Sequence, residues 1–173
     1  MIRRMSFPFL LALAVSLLAG CRNVGATRTE FQMGEKVPAG PLTYTVVEKV
    51  WRSQLGENFQ VRMPENRFLM ITMAVANGGG GEVSVPFLQL ESTDGKVYKE
   101  LENGEDVDNW FGILRTLGPQ QTQQGRILFD VPLGSYRLRL SDGDSVSAHF
   151  TYVQIPLQID DETPPTSPVP GKQ

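Results

Sequence analysis

Arg67-Phe-Leu-Met-Ile-Thr-Met-Ala-Val-Ala-Asn77 is the stretch on which the fold turns. Leu69, Ile71, Met73 and Val75 recur at period two, and Phe68, Met70 and Ala74 leave the alternate face nearly as apolar. A strand with two apolar faces is covered on both sides, so it belongs at the centre of a sheet. Leu, Met and Ala also favour helix. Pro64 before the run and Asn77-Gly78-Gly79-Gly80-Gly81 after it decide for a strand stopped by a turn.

Working outward, Leu42 to Val47 alternates with Leu42, Tyr44 and Val46 inward, after a turn over Pro38 to Pro41. Trp51 to Asn66 is polar and reads as a loop with ragged strand ends. Gly78 to Gly81 reads as a hairpin turn; it lacks the spacing of a phosphate loop. Val83 to Phe87 alternates, and Leu88 and Leu90 fall on the opposite phase, which predicts a bulge near Pro86. Asp94-Gly95 predicts a two-residue hairpin into Val97 to Leu101. Trp110 to Leu117 is apolar and predicts either a short helical turn or a strand. Arg126 to Val131 and Tyr136 to Leu140 alternate cleanly across Pro132 to Ser135, as two antiparallel strands wet on one face do. Val146 to Ile159 carries apolar residues first at Val146, Ala148, Phe150 and Tyr152 and then at Val153, Ile155, Leu157 and Ile159. This phase change predicts a bend or bulge at Tyr152-Val153, where the strand crosses between sheets.

Seven to nine strands at spacings near ten residues and no long helix predict an all-β, immunoglobulin-like antiparallel β-sandwich. A small β-barrel is the alternative. The two cysteines of antibody domains are absent, since Cys21 is the only Cys.

The compartment is written at the N-terminus. Met1-Ile2-Arg3-Arg4 is a positive start, and Phe7 to Ala19 is an apolar run too short to span a bilayer. It ends in Leu17-Leu18-Ala19-Gly20-Cys21, which resembles the bacterial lipobox. That resemblance implies cleavage before Cys21 and a lipidated thiol, with two or more acyl chains making the anchorage stable. The expected organisation is a signal peptide over 1–20, a tether over 21–30, a sandwich over 31–159 and a disordered Pro-rich tail over 160–173. The expected place is the bacterial envelope outside the cytoplasm, with Arg22 after the lipid favouring the outer membrane of a Gram-negative host.

Composition narrows the chemistry. Net charge is 16 − 19 = −3, or 14 − 19 = −5 once Arg3 and Arg4 leave with the signal peptide, which offers no basic face to nucleic acid. One Cys and one His exclude a disulfide framework and a Cys/His zinc cluster. His149 has no Gly-x-Ser-x-Gly or other nucleophile motif to serve. No catalytic residue, metal or cofactor is expected. The acidic segment Glu100, Glu102, Glu105, Asp106 and Asp108 departs from calcium-loop spacing. With Trp110 beside it, and Trp51 beside the other polar loop, it supplies the candidate binding surface: Trp51, Glu105, Asp106, Asp108 and Trp110. The function expected is a membrane-anchored, non-catalytic binding module with an envelope protein as partner. A hydrolase of envelope polymers using carboxylates of 100–108 is the alternative.

Several landmarks then line up with one family. They are the central strand Arg67 to Asn77 followed by Gly, Leu88-Gln-Leu-Glu-Ser-Thr-Asp-Gly-Lys-Val-Tyr98, Leu117-Gly-Pro119, Gly125-Arg-Ile-Leu-Phe-Asp-Val-Pro132 and Tyr136-Arg-Leu138. In that order they resemble the telokin-like, immunoglobulin-like domain of unknown function carried by many bacterial lipoproteins, related in fold to mycobacterial immunoprotective extracellular antigens. The resemblance implies a sandwich outside the cytoplasm and brings no catalytic residues.

Overall fold

The computed structural model describes residues 29–57, 60–143 and 150–158. Cys21, His149, the leader and the Pro-rich tail lie outside them. The described residues hold eleven strands and no helix: β1 (Glu30–Phe31), β2 (Lys36–Ala39), β3 (Leu42–Arg52), β4 (Phe68–Asn77), β5 (Val83–Ser84), β6 (Gln89–Ser92), β7 (Val97–Lys99), β8 (Thr116–Leu117), β9 (Thr122–Asp130), β10 (Tyr136–Leu140) and β11 (Thr151–Ile155). Eleven exceeds the expected seven to nine because three are two-residue pieces. One sheet runs β1-β11-β10-β6-β7, the other β2-β3-β4-β9, and β5-β8 forms a ribbon. Only β1 with β11 is parallel among these ladders. The sheets are open, so the architecture is a sandwich and not the alternative barrel.

β4 is central, as its two apolar faces require, with β3 on one side and β9 on the other. Leu69, Ile71, Met73 and Val75 are buried in the main core with Tyr44, Leu90, Phe129, Leu138 and Val153. Each such side chain contributes about 1.5–3 kcal/mol by leaving water. Phe68 and Met70, on the other face, join Leu55, Val107 and Leu128 in a second cluster under the loops. That face is covered only at this end; Thr72, Ala74 and Ala76 beyond it are half-buried.

Several local expectations are corrected. β3 continues through Trp51 and Arg52, where a loop was expected, and a bulge between Val46 and Glu48 inverts its phase. Lys49 and Trp51 therefore turn inward. Pro38 lies in β2, not in the turn; β2 is an edge strand, where a missing N–H is tolerated. The Gly78 to Gly81 segment makes no hairpin, because β5 pairs with β8 and not β4. The chain breaks its strand between Ser84 and Gln89 to change sheets, which replaces the expected bulge. The β6–β7 connection has three loop residues, since Ser92 N–H donates to Lys96 O and Gly95 N–H to Ser92 O. Gly95 takes φ 85°, the left-handed position such a loop needs. Trp110 to Leu117 has no helical turn: Trp110 makes an isolated bridge to Arg126, and only Thr116–Leu117 is strand.

β9 and β10, expected as neighbours, lie in different sheets. The Pro132 to Ser135 corner carries the chain across, and Tyr136 Oη donates back to Pro132 O at 2.5 Å, a tyrosine corner. β11 stays in one sheet. Tyr152 and Phe150, both on the first apolar phase, lie beneath the guanidiniums of Arg137 and Arg139 at 4.8 and 4.0 Å. Val146 and Ala148 lie outside the described residues.

Candidate functional site

The free rim of β9 does not stay free. Leu101 N–H donates to Leu128 O, Arg126 N–H to Asn109 O, and Phe111 N–H to Arg126 O. Three backbone bonds thus stitch the acidic loop along β9 and hold it over one end of the outer face of the β2-β3-β4-β9 sheet. Arg62 Nη1 donates to Asn103 O at 2.9 Å and ties in the second polar loop, with the guanidinium over Phe68 at 5.1 Å.

Between the two loops lies a cleft of about 640 Å³. Asp106 and Asp108 line it together with Arg52 and Arg126, and Gln54, Leu55, Gly56, Glu57, Gln60 and Met70 complete the wall. The Asp106 carboxylate lies against the backbone of Gly56. A second cleft, also about 640 Å³, shares Arg126 and continues across Glu48, Thr72, Asn109 and Gln124. Arg126 Nη1 stands 3.8 Å from Asp108 Oδ2, and Asp108 is 92 % exposed, so the pair is solvent-screened and open to a competing ligand. Asp106 and Asn109 hold φ of 63° and 53°. Asp and Asn are the non-glycine residues that adopt this region most readily. Strained backbone of this kind gathers at binding sites.

The five candidate residues separate. Asp106 and Asp108 come together in the cleft. Glu105 is exposed on the same loop but does not line it, and its N–H is held by Asn103 Oδ1 at 2.8 Å. Trp110 is half-buried: its indole packs over Gly104 against the second cluster, and its Nε1 is buried with no hydrogen-bond partner among the described residues. Trp51 is buried in the main core, with its ring 6.4 Å from that of Tyr136. The inverted phase of β3 placed it there.

Glu100, the first carboxylate of the acidic segment, is also withdrawn. It is buried and forms an ion pair with buried Arg115. Among the described residues no three His, Cys, Asp or Glu side chains converge as metal ligands. Arg52 and Arg126 were not singled out in the sequence. Their signal was slight: a cation on the outward phase of a strand beside an acidic loop. The cleft can offer cations, carboxylates and amides to a polar ligand, and among the described residues of its wall no nucleophile is paired with a base.

The fold has solved relatives. The yjhA protein from Bacillus subtilis is 17 % identical, with a TM-score of 0.54 over 72 % of this chain and 98 % of that one. The secreted protein MPT63 from Mycobacterium tuberculosis is 17 % identical, with a TM-score of 0.53 over 76 % of this chain and 98 % of that one. A functionally unknown protein from Listeria monocytogenes is 9 % identical, with a TM-score of 0.53 over 73 % and 82 %. At such identities the likeness speaks for the fold alone. No curated protein matches the sequence. Residues 31–149, most of the chain, match the family described as a domain of unknown function, DUF4352, and the chain belongs to that family.

Proposed function

We propose that this protein is an envelope lipoprotein, tethered by acylated Cys21 outside the cytoplasm, that works by binding a polar partner in the cleft beneath the acidic loop. The observation that carries the binding reading is that one cleft gathers Asp106 and Asp108, on a loop stitched to β9, with Arg52 of β3 and Arg126 of β9. Pre-set charges of both signs favour a ligand with complementary groups and lower the ordering cost of capturing it. Leu17 to Cys21 supports both the anchor and the compartment outside the cytoplasm. The carboxylates left to a hydrolase face arginine and solvent, with Glu100 sequestered, so binding is the better reading of the loop.

The test is co-purification from native membranes with the wild-type chain and with a variant carrying Asp106→Asn, Asp108→Asn and Arg126→Gln. A partner held by the wild type and lost by the variant is expected; equal recovery by both would remove the cleft from the function. Fatty-acid labelling should mark the wild type and not Cys21→Ser, and an unlabelled wild type would end the anchor reading.

A further inference from the structure

One end of the sandwich carries an apolar surface that the binding cleft does not use. Leu114 is 95 % exposed, Ile113 57 % and Phe87 37 %. They are held firmly. Arg115, next in the chain, is buried, donates from Nε to Gly112 O at 2.5 Å and pairs with Glu100. Its guanidinium lies 4.4 Å from the centre of the Phe87 ring and 5.4 Å from that of Phe111. Val85 N–H donates to Arg115 O at 2.7 Å, and β5 pairs with β8 immediately beyond. Two aliphatic side chains are thus presented to water on a turn whose base is locked on both sides.

The tether leaves from the same end. β1 runs parallel to β11 with Glu30 opposite Tyr152, and Tyr152 N–H donates to Thr29 O, so the chain enters beside the start of β11. The β10–β11 connection begins at that end, after Leu140. A Cβ on its Gly143 would stand 3.7 Å from Pro86, the neighbour of Phe87. Tyr44 Oη donates to Ser141 O, and Arg115 and Asp142 both act on that phenol electrostatically, which places Arg115 at this end too. Thr29, Gly143, Pro86, Phe87 and the 113–114 turn therefore succeed one another across it. Five strands span about 20 Å. Residues 21–28 reach up to about 28 Å when extended, enough to lay this end on the surface that holds Cys21. The segment from Cys21 to Thr29 contains Arg22 and Arg28 and no carboxylate, which suits anionic headgroups.

We propose that Ile113, Leu114 and Phe87 form a second membrane contact, dipping into the interface of the bilayer that anchors Cys21. This fixes the orientation of the domain and turns the cleft sideways to the membrane. The inference rests on the lipid anchor proposed above. A bare tether leaves the domain free to tumble, whereas an apolar tip beside it adds binding at high local concentration.

The test uses the full acylated chain on vesicles of phosphatidylethanolamine and phosphatidylglycerol, with a polarity-sensitive dye at Leu114→Cys or, as control, at Leu133→Cys on the opposite end. Both positions are exposed, so neither change threatens the fold, and acylated Cys21 offers no competing thiol. Apolar faces sink about 5–10 Å into the headgroup boundary, so the dye at 114 is expected to shift blue and lose about half its emission to brominated acyl chains, and that at 133 to do neither. Chains that float with the vesicles while the dye at 114 stays in water overturn the contact and leave the anchor standing. Chains that fail to float overturn both. Shielding at 114 that appears only with an added membrane-protein extract overturns the lipid contact in favour of a protein partner.

Discussion

The Glu100 carboxylate and the Arg115 guanidinium meet with side-chain exposures of 0 and 1 %. The carboxylate also accepts the Leu88 N–H at 3.1 Å, and the guanidinium is flanked by Phe87 and Phe111. The pair joins the break between β5 and β6 to the segment leading into β8, the region where the chain passes between sheets. Removing one partner leaves a buried charge without compensation. Arg115→Met or Glu100→Leu alone should therefore cost about 3–5 kcal/mol in urea denaturation. The double change Glu100→Leu with Arg115→Met should cost clearly less than the sum of the singles. Additive losses would mean that the two groups act independently.

Gly104 predicts a steric effect. A Cβ there would stand 1.9 Å from Trp110 Cδ2, so Gly104→Ala must displace the indole. Overpacking of this kind costs about 1–3 kcal/mol. The same change should loosen the acidic loop, which thermal denaturation and proteolysis at 101–110 would register together. An unaltered melting temperature would show that the indole yields freely.

The period-two run of β4 announces its own place, because both faces are apolar and a central strand needs them so. Tyr136, Leu138 and Leu140 are equally plain. What the sequence conceals is pairing at a distance. Arg126 to Val131 and Tyr136 to Leu140 alternate alike, and nothing in either says that they lie in opposite sheets. Leu128 looks outward by phase, yet it is buried because the two polar loops fold back over it. Carrying the Leu42, Tyr44, Val46 phase onward would turn Trp51 outward; one extra residue at the Val46/Glu48 bulge turns it in. In the candidate site the acids were visible as a run, whereas their cationic counterparts come from β3 and β9, remote in sequence. Glu100 looked like one more solvated acid, since its counterion arrives from beyond the loop.

Asn77 predicts the importance of a donor. Its Nδ2 lies 2.7, 3.0 and 3.1 Å from the carbonyls of Gly81, Leu117 and Gly118, and its Oδ1 accepts the Gly79 N–H at 2.8 Å. The side chain closes the glycine turn on itself and ties it to the end of β8. Asn77→Asp keeps the shape, removes the donor and sets a carboxylate among carbonyl oxygens. It should cost more at pH 7 than Asn77→Ala, for which about 1–3 kcal/mol is expected from the unsatisfied groups. If the Asp variant melts like the wild type, the three carbonyls do not depend on this amide.

Tyr136 predicts how the fold fails in alkali. Burial first, then the neighbouring Tyr98 and the Asp94 carboxylate, push its phenol up from 10.0 to about 12. Buried Tyr44 moves in the same direction, chiefly by desolvation. Above pH 10 the unfolded chain releases phenolic protons that the native state retains. Stability from these groups is therefore complete below pH 10 and drains away as pH rises through the native value for Tyr136. Tyr136→Phe removes this dependence but also the bond to Pro132 O, so it should be less stable than wild type by about 0.5–1.5 kcal/mol at pH 7. Its midpoint in urea should then fall more slowly between pH 10 and 12 than that of the wild type, and the two curves should converge. Parallel curves across that range would show that Tyr136 ionises as readily in the native state as in the unfolded chain.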